Sequence, residues 1–355
     1  MPRRDTRVSH GTERAHTLRG VSDDPYAPAA AAGIHRIALP TPFAVGRVNV
    51  YLIEDEPLTL VDSGPNSGIS LDVLERALEE RGHSARSLER IVVTHQHIDH
   101  IGLVEILARR SGAEVVAIEQ LVPVLEGFSE HAAAEDEFAA NMMLRHGISE
   151  DVATALRSVS LAYRGWGARA SVTRSVREGE AIEFAGRSLE VCFRPGHSAT
   201  DTIFLDRERR MLIAGDHLLK TISSNPLISR PLDGGADGSD RRRALIEYMD
   251  SMRLTREMDV EVALPGHGDP IDDHRELIDA RLALHARRAE KILRLIGERP
   301  RTAHAIAQAL WGSIAVTQAF LTLSEVLGHT DILLADGRAA EVEDGDGHVL
   351  FHAVE

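Results

Sequence analysis

Four predicted strands of this chain each end in a turn that presents a histidine or an aspartate, and this pattern limits the fold more than any other feature. The buried run Arg90-Ile-Val-Val-Thr94 leads directly into His95-Gln-His97-Ile-Asp99-His100. The other three strand ends present Pro195-Gly-His197, Gly215-Asp216 and Pro265-Gly-His267. Strand ends at one edge of a layered sandwich converge, so we expect these side chains to meet there.

The residue types at these strand ends are those that bind divalent metal ions. Imidazole nitrogen and carboxylate oxygen are ligands of zinc and similar metals. The loop from His95 to His100 offers three imidazoles and one carboxylate, which can reach two adjacent metal positions but cannot enclose two ions. Further ligands must therefore come from the other strand ends. Single histidines elsewhere are interpreted as solvated side chains: His83, His146, His285, His304 and His329.

The order His-x-His-x-Asp-His, Pro-Gly-His, Gly-Asp, Pro-Gly-His resembles the metallo-β-lactamase superfamily over roughly residues 34–272. The resemblance implies an α/β fold, a four-layer αββα sandwich. It also implies two divalent metal ions, zinc by expectation with manganese or iron as alternatives, and a hydroxide shared between them as the nucleophile. One metal would be held by His95, His97 and His197, the second by Asp99, His100 and His267, with Asp216 bridging both. Asp99 would orient the hydroxide or accept its proton, and Asp62 matches a family position that supports the ligands.

Strands followed by helices early in the chain, and mostly strands later, favour the same α/β class. We predict a mobile N-terminal tail over residues 1–33 and a metallo-β-lactamase domain over 34–272. A helical insertion at about 120–165 interrupts the strand pattern. It is either a lid over the site or an extra packed layer. If it is a lid, its candidate apolar lining is Phe128, Met142, Met143 and Trp166.

Residues 273–355 are predicted to form a long helix and a small winged-helix-like domain. Apolar residues at alternating spacings of four and three, from Leu282 through Ala286 to Ile296, predict one buried stripe on a helix over 274–296. Helices at Ala303–Leu310 and Val316–Leu327 follow, then strands at Ile332–Leu334 and His348–Ala353. The stripe suggests that this region shapes the pocket or assembles a homodimer.

Composition restricts partners and location. A formal charge of −15 disfavours a polyanionic partner such as nucleic acid. We therefore read the row Arg287, Lys291, Arg294 as a solvated face. The single cysteine, Cys192, is interpreted as a buried strand residue, and His217 as lining the pocket or packing. One cysteine, no membrane span and no apolar signal run predict a cytoplasmic protein without a membrane partner.

The substrate class follows from the resemblance alone. The ligand set is shared with glyoxalase II, and the C-terminal pattern resembles a group that contains thioesterase-like hydrolases and a mitochondrial ribonuclease. We cannot identify the basic C-terminal cluster with which glyoxalase II binds glutathione. Flavodiiron proteins carry glutamate at the position of His97 and append a flavodoxin domain. The expected activity is hydrolysis of a small acyl substrate, first a thioester and next a lactone or other ester. The alternatives are a nuclease acting on single-stranded RNA and a mononuclear iron enzyme similar to persulfide dioxygenases.

Overall fold

The computed structural model describes residues 24–232 and 241–354. Its first sheet has the strand order β1-β2-β3-β4-β5-β6, antiparallel up to β3 and parallel from β3 onwards. These strands are β1 Ile34–Leu39, β2 Val48–Ile53, β3 Thr59–Val61, β4 Arg90–Val92, β5 Glu114–Ile118 and β6 Arg174–Val176. Its second sheet has the order β11-β10-β9-β8-β7, with only β10 and β11 parallel. These strands are β7 Ala181–Glu183, β8 Ser188–Phe193, β9 Thr202–Asp206, β10 Met211–Gly215 and β11 Val262–Pro265.

The helices are α1 Ala27–Ala31, α2 Gly68–Glu79, α3 Ile98–Ile101, α4 Val104–Ser111, α5 Val122–Glu126, α6 Phe128–Arg145, α7 Glu150–Tyr163, α8 Ala244–Arg256, α9 His274–Glu298, α10 Ala303–Trp311, α11 Ile314–Thr317 and α12 Ala319–Ala335. Local signals explain where several of them begin. The Ser67 side chain accepts a hydrogen bond from the Ser70 amide at the start of α2, and Thr302 does the same for Ala305 at α10.

Side-chain alternation in the second sheet explains the layers. Successive strand residues point to opposite faces, so Phe204 packs in one core while its neighbours Ile203 and Leu205 pack in another. The core that contains Phe204 is shared with the first sheet and with α2 and α4. The opposite core contains Tyr248 of α8 and Ile278 of α9. The predicted four-layer αββα sandwich is confirmed.

The C-terminal region forms a third core. A small antiparallel sheet has the order β12-β14-β13, with β12 Arg301–Thr302, β13 Ala339–Glu343 and β14 Val349–Ala353. It packs with α9, α10 and α12, and also with Phe138 and Met142 from α6 of the insertion. The insertion is helical as predicted. The domain boundaries and the winged-helix description stay predictions.

Two sequence predictions about chain segments are wrong. Residues 332–334 belong to α12, because this helix is buried on nearly every side and therefore lacks the polar positions that mark helical periodicity. The hairpin partner of β14 is β13 instead. Part of the predicted mobile tail is ordered, since Tyr26 is buried and its hydroxyl donates to the Gly268 carbonyl at 2.7 Å. Residues 1–23 lie outside the described residues.

The side-chain predictions for α9 and for three histidines also need correction. Ala286 is exposed, and the buried face of α9 runs through Ile278, His285, Ala289, Ile292 and Ile296. His146, His285 and His329 are buried rather than solvated.

Other side chains lie where the sequence predicted them. Arg287, Lys291 and Arg294 are exposed, and Cys192 is buried in β8. Within residues 24–232 and 241–354, no helix has the length and apolar character that crossing a membrane requires.

The His285–His329 pair predicts a pH dependence of stability. Nδ1 of His285 lies 3.2 Å from Nε2 of His329, and burial lowers the pKa of each from 6.5 to about 4. The unfolded chain therefore binds these protons at a higher pH than the folded protein does, so stability is fully present above pH 6.5 and falls towards pH 4. We expect Tm, followed by circular dichroism, to fall over this interval, and to fall less steeply in His285→Gln. An equal slope in His285→Gln and in the partly exposed control His83→Gln would contradict this assignment.

Candidate metal centre

All seven predicted ligands lie together at one edge of the two sheets. His95 follows β4, and α3 begins directly after His97 and carries Asp99 and His100. The other three residues follow the ends of β8, β10 and β11: they are His197, Asp216 and His267. The convergence of four strand ends that the sequence predicted is thus present in the fold.

The first cluster joins His95, His97, His197 and Asp216, with one candidate ligand atom from each within 4.8 Å of the others. Nδ1 of His97 lies 3.2 Å from Nε2 of His95 and 2.9 Å from Nε2 of His197. Oδ2 of Asp216 lies 3.6 Å from Nε2 of His197. Three imidazole nitrogens and one carboxylate oxygen therefore face a common point.

The second cluster joins Asp99, His100 and His267 within the same 4.8 Å limit. Nε2 of His267 lies 3.3 Å from Oδ2 of Asp99 and 3.4 Å from Oδ2 of Asp216. Nε2 of His100 lies 3.5 Å from Oδ1 of Asp216. Asp216 thus contacts both clusters and is the residue placed between them.

Hydrogen bonds on the far side of three imidazoles fix which nitrogen faces the clusters. Nδ1 of His100 donates to Oδ2 of Asp62 at 2.7 Å, and Nδ1 of His267 donates to the Arg47 carbonyl at 2.8 Å. Nδ1 of His95 lies 2.9 Å from Oγ1 of Thr94, which itself donates to Asp62. Each bond engages Nδ1 and turns Nε2 towards the cluster, the orientation found around metal-bound histidines.

Burial and charge set the protonation states of the clusters. Burial lowers the pKa of His95 well below its usual value and that of His197 to about 3, so both are neutral imidazoles. In the second cluster, burial also lowers the pKa of His267, but the Asp216 and Asp99 carboxylates outweigh it and raise that pKa to about 10. For the Asp216 carboxyl, burial alone would raise the pKa, but His267 and His100 hold it well below the usual range. The carboxylates therefore favour positive charge at this place.

The residues fit a divalent metal ion. Nε2 of His100 and Oδ1 of Asp216 are buried and have no hydrogen-bond partner among the described residues, and such atoms are costly unless something binds them. The backbone of Gly266 also leaves the space clear, since a Cβ there would lie 2.2 Å from Oδ1 of Asp216. Nitrogen and carboxylate donors together are a set that zinc and related metals accept.

Several supporting residues were not identified from the sequence. Nδ2 of Asn49 donates to the carbonyls of Pro265 and Gly268, and the Tyr51 hydroxyl donates to Pro265 at 2.6 Å. These bonds hold the turn that carries His267. The one sequence feature that could have indicated this supporting role was Asn49, an isolated polar residue inside the apolar strand β2. A similar role falls to Asp201, whose carboxylate accepts two hydrogen bonds from Ser198, next to His197.

Asp62→Asn tests the support of His100. Asp62 has a backbone φ of 60°, a left-handed conformation that asparagine also adopts, so the backbone should tolerate the change. Loss of the carboxylate should weaken divalent metal binding about 10- to 100-fold, measured by competition with a chelator of known affinity. Asp72→Asn, on the exposed face of α2, is the control. Equal metal affinity in the two variants would show that Asp62 does not support the site.

A cavity of about 760 Å³ opens on both clusters, and His97, Asp99, His197, Asp216 and His267 are part of its wall. The insertion contributes to it through α6 and α7. Of the predicted lining, Phe128 and Met143 are present, whereas Met142 packs in the C-terminal core and Trp166 lies outside the wall. His217 packs in the interior, with Nε2 2.9 Å from the Thr255 hydroxyl.

Comparisons with known proteins agree with this description. The family model of the metallo-beta-lactamase superfamily matches residues 44–267. The probable metallo-hydrolase YqjP of Bacillus subtilis is 31% identical over 310 residues, which cover 87% of this chain and 95% of that protein. An atrochrysone carboxyl ACP thioesterase of Aspergillus fumigatus is 23% identical over 163 residues, covering 46% of this chain and 45% of the relative. A metallo-beta-lactamase family protein of known structure from Thermus thermophilus is 26% identical with a TM-score of 0.72, covering 91% of this chain and 99% of that one.

Proposed function

This chain belongs to the metallo-β-lactamase superfamily as a metallo-hydrolase, and on that premise we propose that it is a two-metal hydrolase of acyl thioesters. The cavity that opens directly on the two clusters carries this proposal. Its walls are largely apolar, which suits an acyl group better than a polyanion. The distant relationship to an acyl carrier protein thioesterase supports the same class of substrate.

We assign one ion to each cluster, with zinc as the expected metal and manganese or iron as alternatives. The first would be held by His95, His97 and His197, the second by Asp99, His100 and His267, and Asp216 would contact both. When bound, the metal pair supplies Lewis-acid polarisation of the substrate carbonyl and makes a water molecule acidic enough to attack at neutral pH.

Asp99 is the proposed catalytic residue of the chain itself. Burial raises its pKa, but the neighbouring His100 and His267 outweigh burial and hold that pKa below the usual value. The carboxylate is therefore ionised at neutral pH and can orient the attacking water or accept its proton. In the reaction the water oxygen bonds to the acyl carbon, the C–S bond breaks, and the thiolate takes up a proton.

The wall of the cavity does not favour single-stranded RNA. Of its three arginines, Arg164 is paired with Asp136, and Nε of Arg230 lies 3.4 Å from Oε1 of Glu135. Paired arginines are poor phosphate contacts, because each already has a carboxylate partner. The third, Arg157, is exposed and has no ion pair among the described residues, but it is a single cation and not a basic row. A thioester, and next a lactone or other ester, is the better match.

A hydrolysis screen of the metal-loaded protein tests the proposal. The substrates are acyl-CoA, acyl-glutathione, lactone, β-lactam and single-stranded RNA, each with and without a chelator. We expect chelator-sensitive release of thiol from a thioester as the fastest reaction. RNA cleavage in the absence of thioester hydrolysis would establish the nuclease alternative. A single equivalent of iron with no hydrolase activity would favour the persulfide-dioxygenase-like alternative.

A further inference from the structure

We infer that the cavity selects thioesters with an extended apolar acyl chain of medium length or longer, a specificity that rests on the proposed thioester hydrolysis and goes beyond it. The cavity of about 760 Å³ is in the range of pockets that enclose drug-sized ligands. An acetyl or propionyl group held at the clusters would fill only a small part of this cavity.

The two helices of the insertion each present one face to this space. On α6, the cavity residues Phe128, Ala132, Ala139 and Met143 recur at helical spacing. A neighbouring face of α6 is buried in the C-terminal core through Phe138 and Met142, and Met143 packs in the same core. The C-terminal core therefore holds α6 in place, while its cavity face, which also includes His131, Glu135 and Asp136, lines the space, as expected of a binding wall.

Exposed apolar side chains are concentrated at the mouth of the cavity. Of the fourteen large apolar residues that are exposed among the described residues, six line it: Val45, Val159, Tyr163, Ile222, Leu232 and Leu321. They come from the β1–β2 loop, α7, the segment after β10 and α12. Such a concentration marks a binding surface, whereas scattered exposed apolar residues do not.

Continuity with the metal clusters identifies the occupant. The same wall contains Asp99, His197 and Asp216 together with Phe320 and Leu321 of α12. A thioester whose carbonyl lies at the clusters therefore has only its acyl or its thiol arm to place along the apolar helices. Thiol arms such as those of coenzyme A and acyl carrier protein are rich in amides and phosphate, so the apolar wall fits the acyl arm.

Chain-length dependence tests this specificity. The substrates are N-acetylcysteamine thioesters from acetyl through butanoyl, hexanoyl and octanoyl to decanoyl, so that the leaving group is constant. Burial of one methylene is worth up to about fourfold in binding, and we expect kcat/KM to rise about twofold or more per methylene. A flat profile with measurable hydrolysis of the acetyl ester would overturn the inference and leave the proposed function intact.

Two variants on adjacent positions of α6 provide a matched comparison. Ala132 lines the cavity, whereas Ala133 is exposed and does not. We expect Ala132→Phe to lower the ratio of kcat/KM for the decanoyl ester to that for the acetyl ester about tenfold or more. Ala133→Phe should behave as the wild type. Equal profiles in both variants would overturn the inference.

Product binding tests the cavity without catalysis. By calorimetry, the metal-loaded protein should bind decanoate more tightly than butanoate, and Ala132→Phe should remove that difference. Equal affinity for the two acids in the wild type would overturn the inference. A clear preference for decanoate in a protein that hydrolyses no thioester would support the apolar site and refute the proposed function.

Discussion

Asp216→Ala is expected to lower kcat/KM about 10³-fold, on the order of 4 kcal/mol of barrier, while the secondary structure persists. The carboxylate belongs to the first cluster, where Oδ2 lies 3.6 Å from Nε2 of His197, and it also reaches the second, where Oδ1 lies 3.5 Å from Nε2 of His100. Removal of this carboxylate takes one negative charge from between the two proposed cations. The site also loses the side chain that would position both ions. The apolar core of β10 is unaffected, so circular dichroism should match that of the wild type.

Asp72→Ala is the control for this substitution, because Asp72 lies on the exposed face of α2 in an ion pair with Arg76. It should retain full turnover. A lower Tm in Asp216→Ala agrees with the expectation as long as the protein remains folded at the assay temperature. Near-native turnover in Asp216→Ala would show that this residue does not connect the two clusters.

Gly266→Ala is expected to lower turnover roughly 10²-fold, the effect of a misplacement of about 1 Å in a catalytic site. A methyl group at this position would lie 2.2 Å from Oδ1 of Asp216 and 2.8 Å from Cε1 of His100, so both side chains must move. The backbone conformation of Gly266 is not left-handed. The effect therefore arises from the contact with the two side chains rather than from backbone strain.

Gly68→Ala is the control that separates this local effect from a general effect of replacing a glycine by alanine in this protein. Gly68 also lacks a left-handed conformation, and a Cβ there meets no atom within 4 Å. We expect full activity in Gly68→Ala and reduced metal affinity as well as reduced turnover in Gly266→Ala, measured by chelator competition. Unchanged metal affinity and turnover in Gly266→Ala would mean that the turn before His267 is not closely packed against the clusters.

The candidate site could be predicted from the sequence because its signals are local. Each of the seven residues follows a recognisable strand and turn, and their order along the chain carries the family resemblance. Strand ends that meet at one edge then bring His95 and His267, which are distant in sequence, into the same place. The four-layer order was implied by the family resemblance, and the burial of Phe204 on one face of its sheet and of Ile203 and Leu205 on the other confirms it.

The features that were missed depend on contacts between distant segments. Tyr26 in the presumed tail and Asn49 in β2 are fixed by the turn at Gly268, and nothing near either residue in sequence indicates that turn. His285 and His329 looked like solvated histidines because each is isolated in sequence, yet α9 and α12 bury them against one another. Helix α12 was divided incorrectly because its surroundings are apolar on nearly all sides, which removes the periodic pattern.

The metal content of the protein tests the central claim most directly. Elemental analysis of the full chain, purified without chelator and saturated with zinc before gel filtration, should give about two equivalents per chain, the stoichiometry of a two-metal hydrolytic site. His267→Ala should retain about one, because His95, His97, His197 and Asp216 remain. One equivalent or less in the wild type, or a wild-type content equal to that of His267→Ala, would contradict a centre in which these seven residues hold two ions.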